Sequence, residues 1–242
     1  ELLVGTPVTE RGVARLSKLL KLLARRYGVV ALPLPRELCW RAAVGSSDLT
    51  EYARRILNPS GFRVWSSVLE TLRELALEEP WVEVNCYVSE KSYASSEELG
   101  YAIAALVVKA RAYGIIKPEE WLEAFKVKGG RLHVGELSKY RAVIADGYSW
   151  TITLNNELKP ERVIAVDTLI PTPLDLLELI ANGYVSRERV REVISYAVRY
   201  VGEYILTSNT LTEAYDRLLS DEDYLRLIEE LGLEILKPTS SY

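Results

Sequence analysis

The residues from which many enzymes build their active sites are scarce in this sequence. Its 242 residues contain one histidine, His133, and two cysteines, Cys39 and Cys86. A Ser-His-Asp triad or a multi-histidine metal site within the chain would have to use His133. No partner motif accompanies it, so we expect a surface or hydrogen-bonding role. The cysteines lack the CxxC spacing of metal sites, and we expect reduced, buried thiols in a cytoplasmic protein.

Signals for nucleotides, nucleic acids and membranes are also missing. The sequence contains neither GxGxxG nor GxxxxGK[ST], and Gly5-Thr6-Pro7 is too short a glycine signal for a phosphate loop. A formal net charge of −4 provides no basic face for nucleic acid. No stretch approaches the roughly 18 apolar residues of a membrane span, and the first residues predict a strand rather than a signal peptide. We therefore expect an intracellular protein outside the membrane.

The N-terminal stretch is typical of a complete βαβ unit. Residues 2–4 and 29–32 are apolar at consecutive positions, which is the pattern of a strand buried on both faces. Helical spacing of apolar and charged residues fills the segment between them, up to Gly28. Such strands should lie parallel, joined by a right-handed crossover. Pro33 and Pro35 should end the second strand, because proline cannot donate to a central ladder.

Three further apolar runs, at 81–88, 141–145 and 162–166, predict additional strands separated by helical segments. We therefore predict an α/β fold, with a mostly parallel sheet of about five strands flanked by helices. Residues 1–183 should form this core domain. Residues 184–242 show no strand pattern and predict a C-terminal helical extension, packed on the core or on a partner subunit.

Polar side chains lie close to the carboxyl ends of the predicted strands. Parallel strands bring these ends to one edge of the sheet, where α/β proteins bind ligands. The candidate crevice residues are Thr6, Thr9, Arg36, Glu37, Asn85, Tyr87, Tyr148, Ser149, Trp150 and Thr168, together with Asp146 and Asp167. Trp150 follows Asp-Gly-Tyr-Ser, which predicts a loop, so its ring could line the crevice.

Asp146 and Asp167 each close an apolar strand, and this pattern has two interpretations. Two carboxylates at one edge could hold a divalent cation or act as acid and base, with an arginine orienting an anionic ligand. Alternatively, Asp146 caps the turn at Gly147 and Asp167 caps the loop at Thr168, as aspartates at strand ends commonly do. A divalent cation is the cofactor that the first interpretation implies.

Tyrosine is abundant, with 15 residues against two phenylalanines. Tyr196, Tyr200, Tyr204 and Ile205 share one stripe of a predicted C-terminal helix. This stripe either packs on its own core or forms a contact between two copies of the chain, and we predict a homo-oligomer. Many arginines and glutamates together with the tyrosines suggest the charged surface of a thermophile protein.

The segments LLVGT, VVALPLP and RAVIADGYSW resemble the TraB/ChaN/Tiki group, which includes the erythromycin esterase-like proteins. The resemblance covers roughly residues 1–170 and is specific at Gly5-Thr6. In that group a histidine closely follows the Gly-Thr, the second strand carries a glutamate, and a later strand ends in a glycine turn with another histidine. This sequence has Pro7-Val8, Pro33 and Tyr148-Ser149-Trp150 at those places.

The resemblance implies a member that has lost the key groups of metal-dependent hydrolytic or haem-binding chemistry, and that binds rather than cleaves. Our first hypothesis is therefore an intracellular ligand-binding or interaction protein with an unidentified small-molecule ligand. One alternative is a divalent-metal-assisted hydrolase that uses Asp146, Asp167 and Glu37. Another is a nucleotide or RNA sensor at the same crevice.

Overall fold

The computed structural model describes residues 1–126 and 134–238. The strands in these ranges are β1 (Leu2–Thr6), β2 (Val29–Pro35), β3 (Glu83–Val88), β4 (Ala142–Asp146) and β5 (Arg162–Ala165). The α-helices are α1 (Glu10–Tyr27), α2 (Arg36–Ala43), α3 (Leu49–Ile56), α4 (Asn58–Glu78), α5 (Glu90–Tyr113), α6 (Pro118–Phe125), α7 (Tyr148–Leu158), α8 (Pro173–Ala181), α9 (Val190–Arg199), α10 (Leu211–Leu219) and α11 (Glu222–Glu230). A 3-10 helix spans Val134–Lys139, and a π-helix spans Tyr200–Ile205.

The five strands form one parallel sheet in the order β3-β2-β4-β1-β5, which confirms the predicted α/β class. β1 lies between β4 and β5, and all five of its residues are buried. A strand covered by helices on both faces has no exposed side, which is why its apolar residues are consecutive rather than alternating.

β2 continues through the two prolines that were predicted to end it. It pairs with β4 only at Val30 and Ala31, and its register with β3 shifts between Leu32 and Pro35. Pro33 and Pro35 therefore lie where the ladder is already irregular, and a strand tolerates proline at such a position.

The described residues divide into two compact units. Within the described residues, the α/β unit comprises 1–93, 134–169 and 236–238, and the helical unit comprises 94–126 and 170–235. Most of α5 and all of α6 therefore belong with the C-terminal helices, although they lie between β3 and β4 in the chain. The predicted boundary at residue 183 falls inside the helical unit.

The tyrosine stripe of α9 and the π-helix packs within the helical unit. Tyr200 is buried, the Tyr196 ring lies 5.0 Å from that of Tyr224, and Tyr204 packs edge-on against Tyr200. Burial raises the pKa of the Tyr200 and Tyr224 phenols. Of the two interpretations of this stripe, the structure favours packing on its own core.

Cys39 on α2 and Cys86 on β3 form a disulfide with a Cα–Cα distance of 5.5 Å. The prediction of two reduced thiols is therefore wrong. The cysteines are separated by 47 positions, and they meet only because α2 packs against β3, the strand beside the one that it follows.

Gly12→Ala is expected to lower the free energy of unfolding by about 1–3 kcal/mol, the usual cost of overpacking. A Cβ at Gly12 would lie 2.5 Å from the Pro7 carbonyl oxygen and 2.7 Å from the Pro7 ring, so the turn from β1 into α1 would have to move. Urea unfolding measures the change. Gly100, inside α5, is the matched control, because a Cβ there meets nothing within 4 Å. Gly100→Ala should stabilise by up to about 1 kcal/mol through helix propensity, and equal effects of the two substitutions would contradict the packing argument.

Candidate functional site

The connections of the sheet reverse direction between β1 and β4. α1 leads the chain from β1 toward the β3 side, whereas α7 leads it from β4 toward β5. Right-handed crossovers then place α1 and α7 on opposite faces of the sheet. Open α/β sheets bind ligands at such a switch point, outside the carboxyl ends of the strands. The ends that meet here are Thr6 and Asp146, which are register partners.

Asp146 and Gly147 form the β4 side of this switch point. Asp146 is half-buried, and the Gly147 amide donates a hydrogen bond of 2.8 Å to the Thr6 carbonyl. Gly147 has a φ of 80°, which glycine adopts without steric cost, and it starts α7 without a side-chain cap. Asp146 thus precedes the positive end of the α7 dipole, where negative charge is stabilised.

Tyr87 and Trp150 are buried, rather than lining the crevice. The Tyr87 hydroxyl donates a hydrogen bond of 2.7 Å to the Ile144 carbonyl and accepts one of 2.8 Å from Trp150 Nε1. Trp150 is only 6% exposed. The prediction that it follows a loop is wrong, because Tyr148–Leu158 is a helix. Thr151, Ile152 and Thr153 in that segment are β-branched residues, which favour strands. The sequence pattern therefore did not predict a helix there.

Asp167, just beyond β5, is held by two arginines of α1. Its carboxylate oxygens accept hydrogen bonds of 2.8 Å from Arg11 and 2.6 Å from Arg15. The Thr168 amide also donates to Asp167, over 2.8 Å, as the capping interpretation expected. The Asp167 side chain is 7% exposed. This aspartate therefore fastens α1 to the loop after β5, and a cation there would compete with the two arginines.

Arg36 and Asn85 take part in exposed pairs. Arg36 lies 3.3 Å from Glu136, and both side chains are more than half exposed. The Asn85 amide donates a hydrogen bond of 2.5 Å to Glu83, two positions earlier on the same strand. Neither residue contacts Asp146 or Asp167 in these interactions.

Four of the remaining candidates are buried at the starts of helices or at the end of β1. Thr6 is fully buried, and its hydroxyl donates to the Pro7 carbonyl over 3.3 Å. Thr9 caps α1 by accepting a hydrogen bond of 3.0 Å from the Gly12 amide. Tyr148 and Ser149 are buried in the first turn of α7. Asp146 is therefore the predicted carboxylate that stands, half-buried, at the switch point itself.

A polar cluster that was not predicted as a unit gathers around Arg41 on α2. Arg41 binds Asp48 through hydrogen bonds of 2.9 and 2.8 Å, lies 3.2 Å from Glu37, and stacks over the Tyr52 ring at 4.2 Å. The Tyr52 hydroxyl donates to the Glu90 carboxylate. Hydrogen bonds from Ser46 and Arg41 lower the pKa of Asp48. Only the helical spacing of Glu37 and Arg41 could have indicated part of this cluster from the sequence.

Ionisation of Tyr52 is expected to lower the free energy of unfolding of the α/β unit as the pH rises from 10 through about 12. Burial and the hydrogen bond to Glu90 raise the pKa of Tyr52 to about 12. Because the folded state holds the phenol proton more tightly, this contribution to stability is complete below pH 10 and is lost as the pH rises through about 12. Titration of tyrosinate absorbance measures the effect. Tyr52→Phe should remove one late step and Glu90→Gln should move it to lower pH; an unchanged titration curve in Tyr52→Phe would contradict the assignment.

In residues 1–126 and 134–238, no three His, Cys, Asp or Glu side chains come together as a metal-binding group. His133 lies outside the described residues.

None of the described helices combines the length and apolar character needed to cross a membrane.

Comparison with known proteins yields no match. No protein-family model, no curated protein and no solved structure matches the chain. The resemblance to the TraB/ChaN/Tiki group therefore stays a prediction that rests on Gly5-Thr6 and the strand segments. The structure adds a packing reason for Gly5, since a Cβ there would lie 2.8 Å from Thr151 Oγ1 and 2.7 Å from Leu169.

Proposed function

We propose that this chain is a ligand-binding or interaction protein, a catalytically diverged α/β domain related to the TraB/ChaN/Tiki group. One observation carries the proposal: two groups near the carboxyl edge that could do chemistry, Asp167 and Tyr87, are committed to holding the fold. Both carboxylate oxygens of Asp167 bind arginine, and the Tyr87 hydroxyl bonds to Ile144 and Trp150. A general acid or base must reach the substrate proton, and these groups are already engaged elsewhere.

The proposed ligand site is the switch point between β1 and β4. Asp146 supplies a half-buried carboxylate there, beside the first amides of α7. This arrangement suits a small molecule that donates hydrogen bonds to a carboxylate.

The metal-assisted hydrolase has less support. β1 separates the strands that lead to Asp146 and Asp167, so the two backbones lie two strand spacings apart, about 10 Å. The arginine pair already neutralises Asp167. No contact in the described residues specifically favours the nucleotide or RNA sensor.

We also propose an intracellular location. The disulfide is compatible with this, because intracellular proteins of hyperthermophiles are rich in disulfides, whereas those of mesophiles rarely keep them. The proposal of an intracellular location therefore depends on the proposal of a thermophile source.

A thermal-shift screen of the chelator-treated protein tests the proposed function. The probes are divalent cations, nucleotides, haem and simple carboxylates, because a ligand that binds the folded state raises Tm by mass action. We expect a shift with an organic probe that Asp146→Asn abolishes. Asp223→Asn is the matched control, since that aspartate is 72% exposed on α11 in the helical unit.

Two outcomes would count against the proposal. A shift with a divalent cation that requires both Asp146 and Asp167 would support the hydrolase. Turnover of ester, phosphoester or peptide substrates that disappears in Asp146→Asn, but persists in Asp223→Asn, would show that the edge is catalytic.

A further inference from the structure

The outward face of α5 in the helical unit carries an exposed apolar stripe, which we call the α5 stripe: Tyr101, Ala105, Val108 and Ala112. Their spacing of i, i+4, i+7 and i+11 places them on one side of the helix. Tyr101 is 78% exposed and Val108 is 61% exposed. A surface helix ordinarily has charged or polar residues on this side.

The opposite face of α5 is already used. Ile103, Val107 and Ala110 are buried in the helical unit. The helix is therefore apolar on two sides, and the described residues cover only one of them. Apolar residues at consecutive turns of an outer face are typical of a surface that binds another protein.

A groove runs beside the α5 stripe, between α5 and α6. It has a volume of about 820 Å³ and an apolar floor that includes Ala102, Leu106 and Ala124. Ala105 belongs both to the groove lining and to the α5 stripe, so the two apolar areas are continuous. The area open to a partner is thus wider than one row of side chains.

We propose that a second copy of this chain covers the α5 stripe, with the two α5 helices antiparallel about a two-fold axis. Charge complementarity points to this occupant. Glu98 lies before the stripe and Lys109 lies near its other end, three helical turns later on the same flank. Antiparallel pairing places the same flank of each copy side by side, which brings Glu98 of each copy toward Lys109 of the other.

Lys109 can serve both its own copy and the second one. Its ammonium group donates to Glu120 on α6 over 2.6 Å. An ammonium group has three donors, so this ion pair leaves donors for Glu98 of the second copy. The lysine side chain is 36% exposed and therefore accessible from outside.

The register of the proposed pair follows from the side chains of the stripe. Placing Tyr101 against Val108 of the second copy also places Ala104 against Ala105 at the two-fold axis. Alanines at the crossing point let the two backbones approach closely, while the larger side chains pack on either side. The same patch meets itself, as a two-fold interface requires.

The oligomeric state of the full chain tests the proposal. Sedimentation velocity over a dilution series should show a dimer, and Tyr101→Glu should raise the dissociation constant by about 30-fold, as expected for a buried aromatic anchor. Leu77→Glu is the matched control, because Leu77 is 81% exposed on α4 in the α/β unit and lies outside the stripe. Circular dichroism of both variants shows whether they fold.

Cysteine crosslinking tests the orientation without disturbing the interface. Ala105→Cys should form an intermolecular disulfide, because the two positions lie beside the axis. Ala112→Cys should not, since antiparallel helices in this register separate the two positions by about 22 Å. A monomer at every concentration, a dimer as tight in Tyr101→Glu as in the wild type, or equal crosslinking through both cysteines would overturn the proposal.

Discussion

Reduction of the Cys39–Cys86 disulfide is expected to lower the free energy of unfolding of the α/β unit by about 4 kcal/mol. The bond joins residues that are 47 positions apart, so it removes many conformations from the unfolded chain. For a protein of this size, 1 kcal/mol corresponds to about 2–4 °C in Tm, which predicts a fall of about 8–16 °C.

Scanning calorimetry with and without reductant measures the fall. The variant Cys39→Ser/Cys86→Ser should have the same low Tm with and without reductant, because it cannot form the disulfide. Thiol titration of the unfolded protein should detect no free thiol before reduction and two afterwards. If reductant leaves the wild-type Tm unchanged and two thiols react before reduction, the cysteines are not joined. The prediction of two reduced thiols would then be correct.

Replacing both arginines that bind Asp167 is expected to cost about 3 kcal/mol. Removing the partners of a buried charge leaves that charge uncompensated, with a typical cost of about 3–5 kcal/mol. The lower end applies here because Arg11 and Arg15 are 33% and 48% exposed, so water can partly replace them. Urea unfolding of Arg11→Ala/Arg15→Ala measures this cost.

A triple variant separates the buried charge from other effects of the arginines. Adding Asp167→Asn to the double variant removes the charge but keeps an oxygen that can accept the Thr168 amide. Most of the lost stability should return. A triple variant no more stable than the double one would mean that the arginines act through packing of α1 instead.

The strands could be predicted because their pattern is local. β1, β4 and β5 are short apolar runs ended by polar or glycine residues, and burial on both faces of a parallel sheet demands this pattern. The cap of α8 is likewise local, because Thr172 and Asp175 form a capping box three positions apart.

The local sequence pattern is misleading where a distant contact decides the conformation. Tyr148–Leu158 is rich in β-branched residues and forms a helix all the same. Its buried face meets the sheet, where Trp150 bonds to Tyr87 and Thr151 packs against the bare backbone of Gly5. Tertiary packing of this kind routinely overrides weak local propensity.

The sequence predicted the edge of the sheet at which the candidate residues lie, but it did not predict which partners their side chains bind. Both aspartates do lie at strand ends on this edge of the sheet, but the sequence does not reveal that Arg11 and Arg15 on α1 reach across to Asp167. It also gave no sign that Tyr87 would turn inward to bond with Ile144. Which polar groups remain open to a ligand depends on these long-range partners.

The sequence by itself determined the α/β class, the parallel strands and the edge at which their polar ends gather, because these follow from the periodicity of apolar residues and the need for crossovers. Only the tertiary structure decided the strand order, the disulfide and the division into two units. These depend on which distant segments pack together, and that choice minimises exposed apolar surface over the whole chain rather than within any one segment.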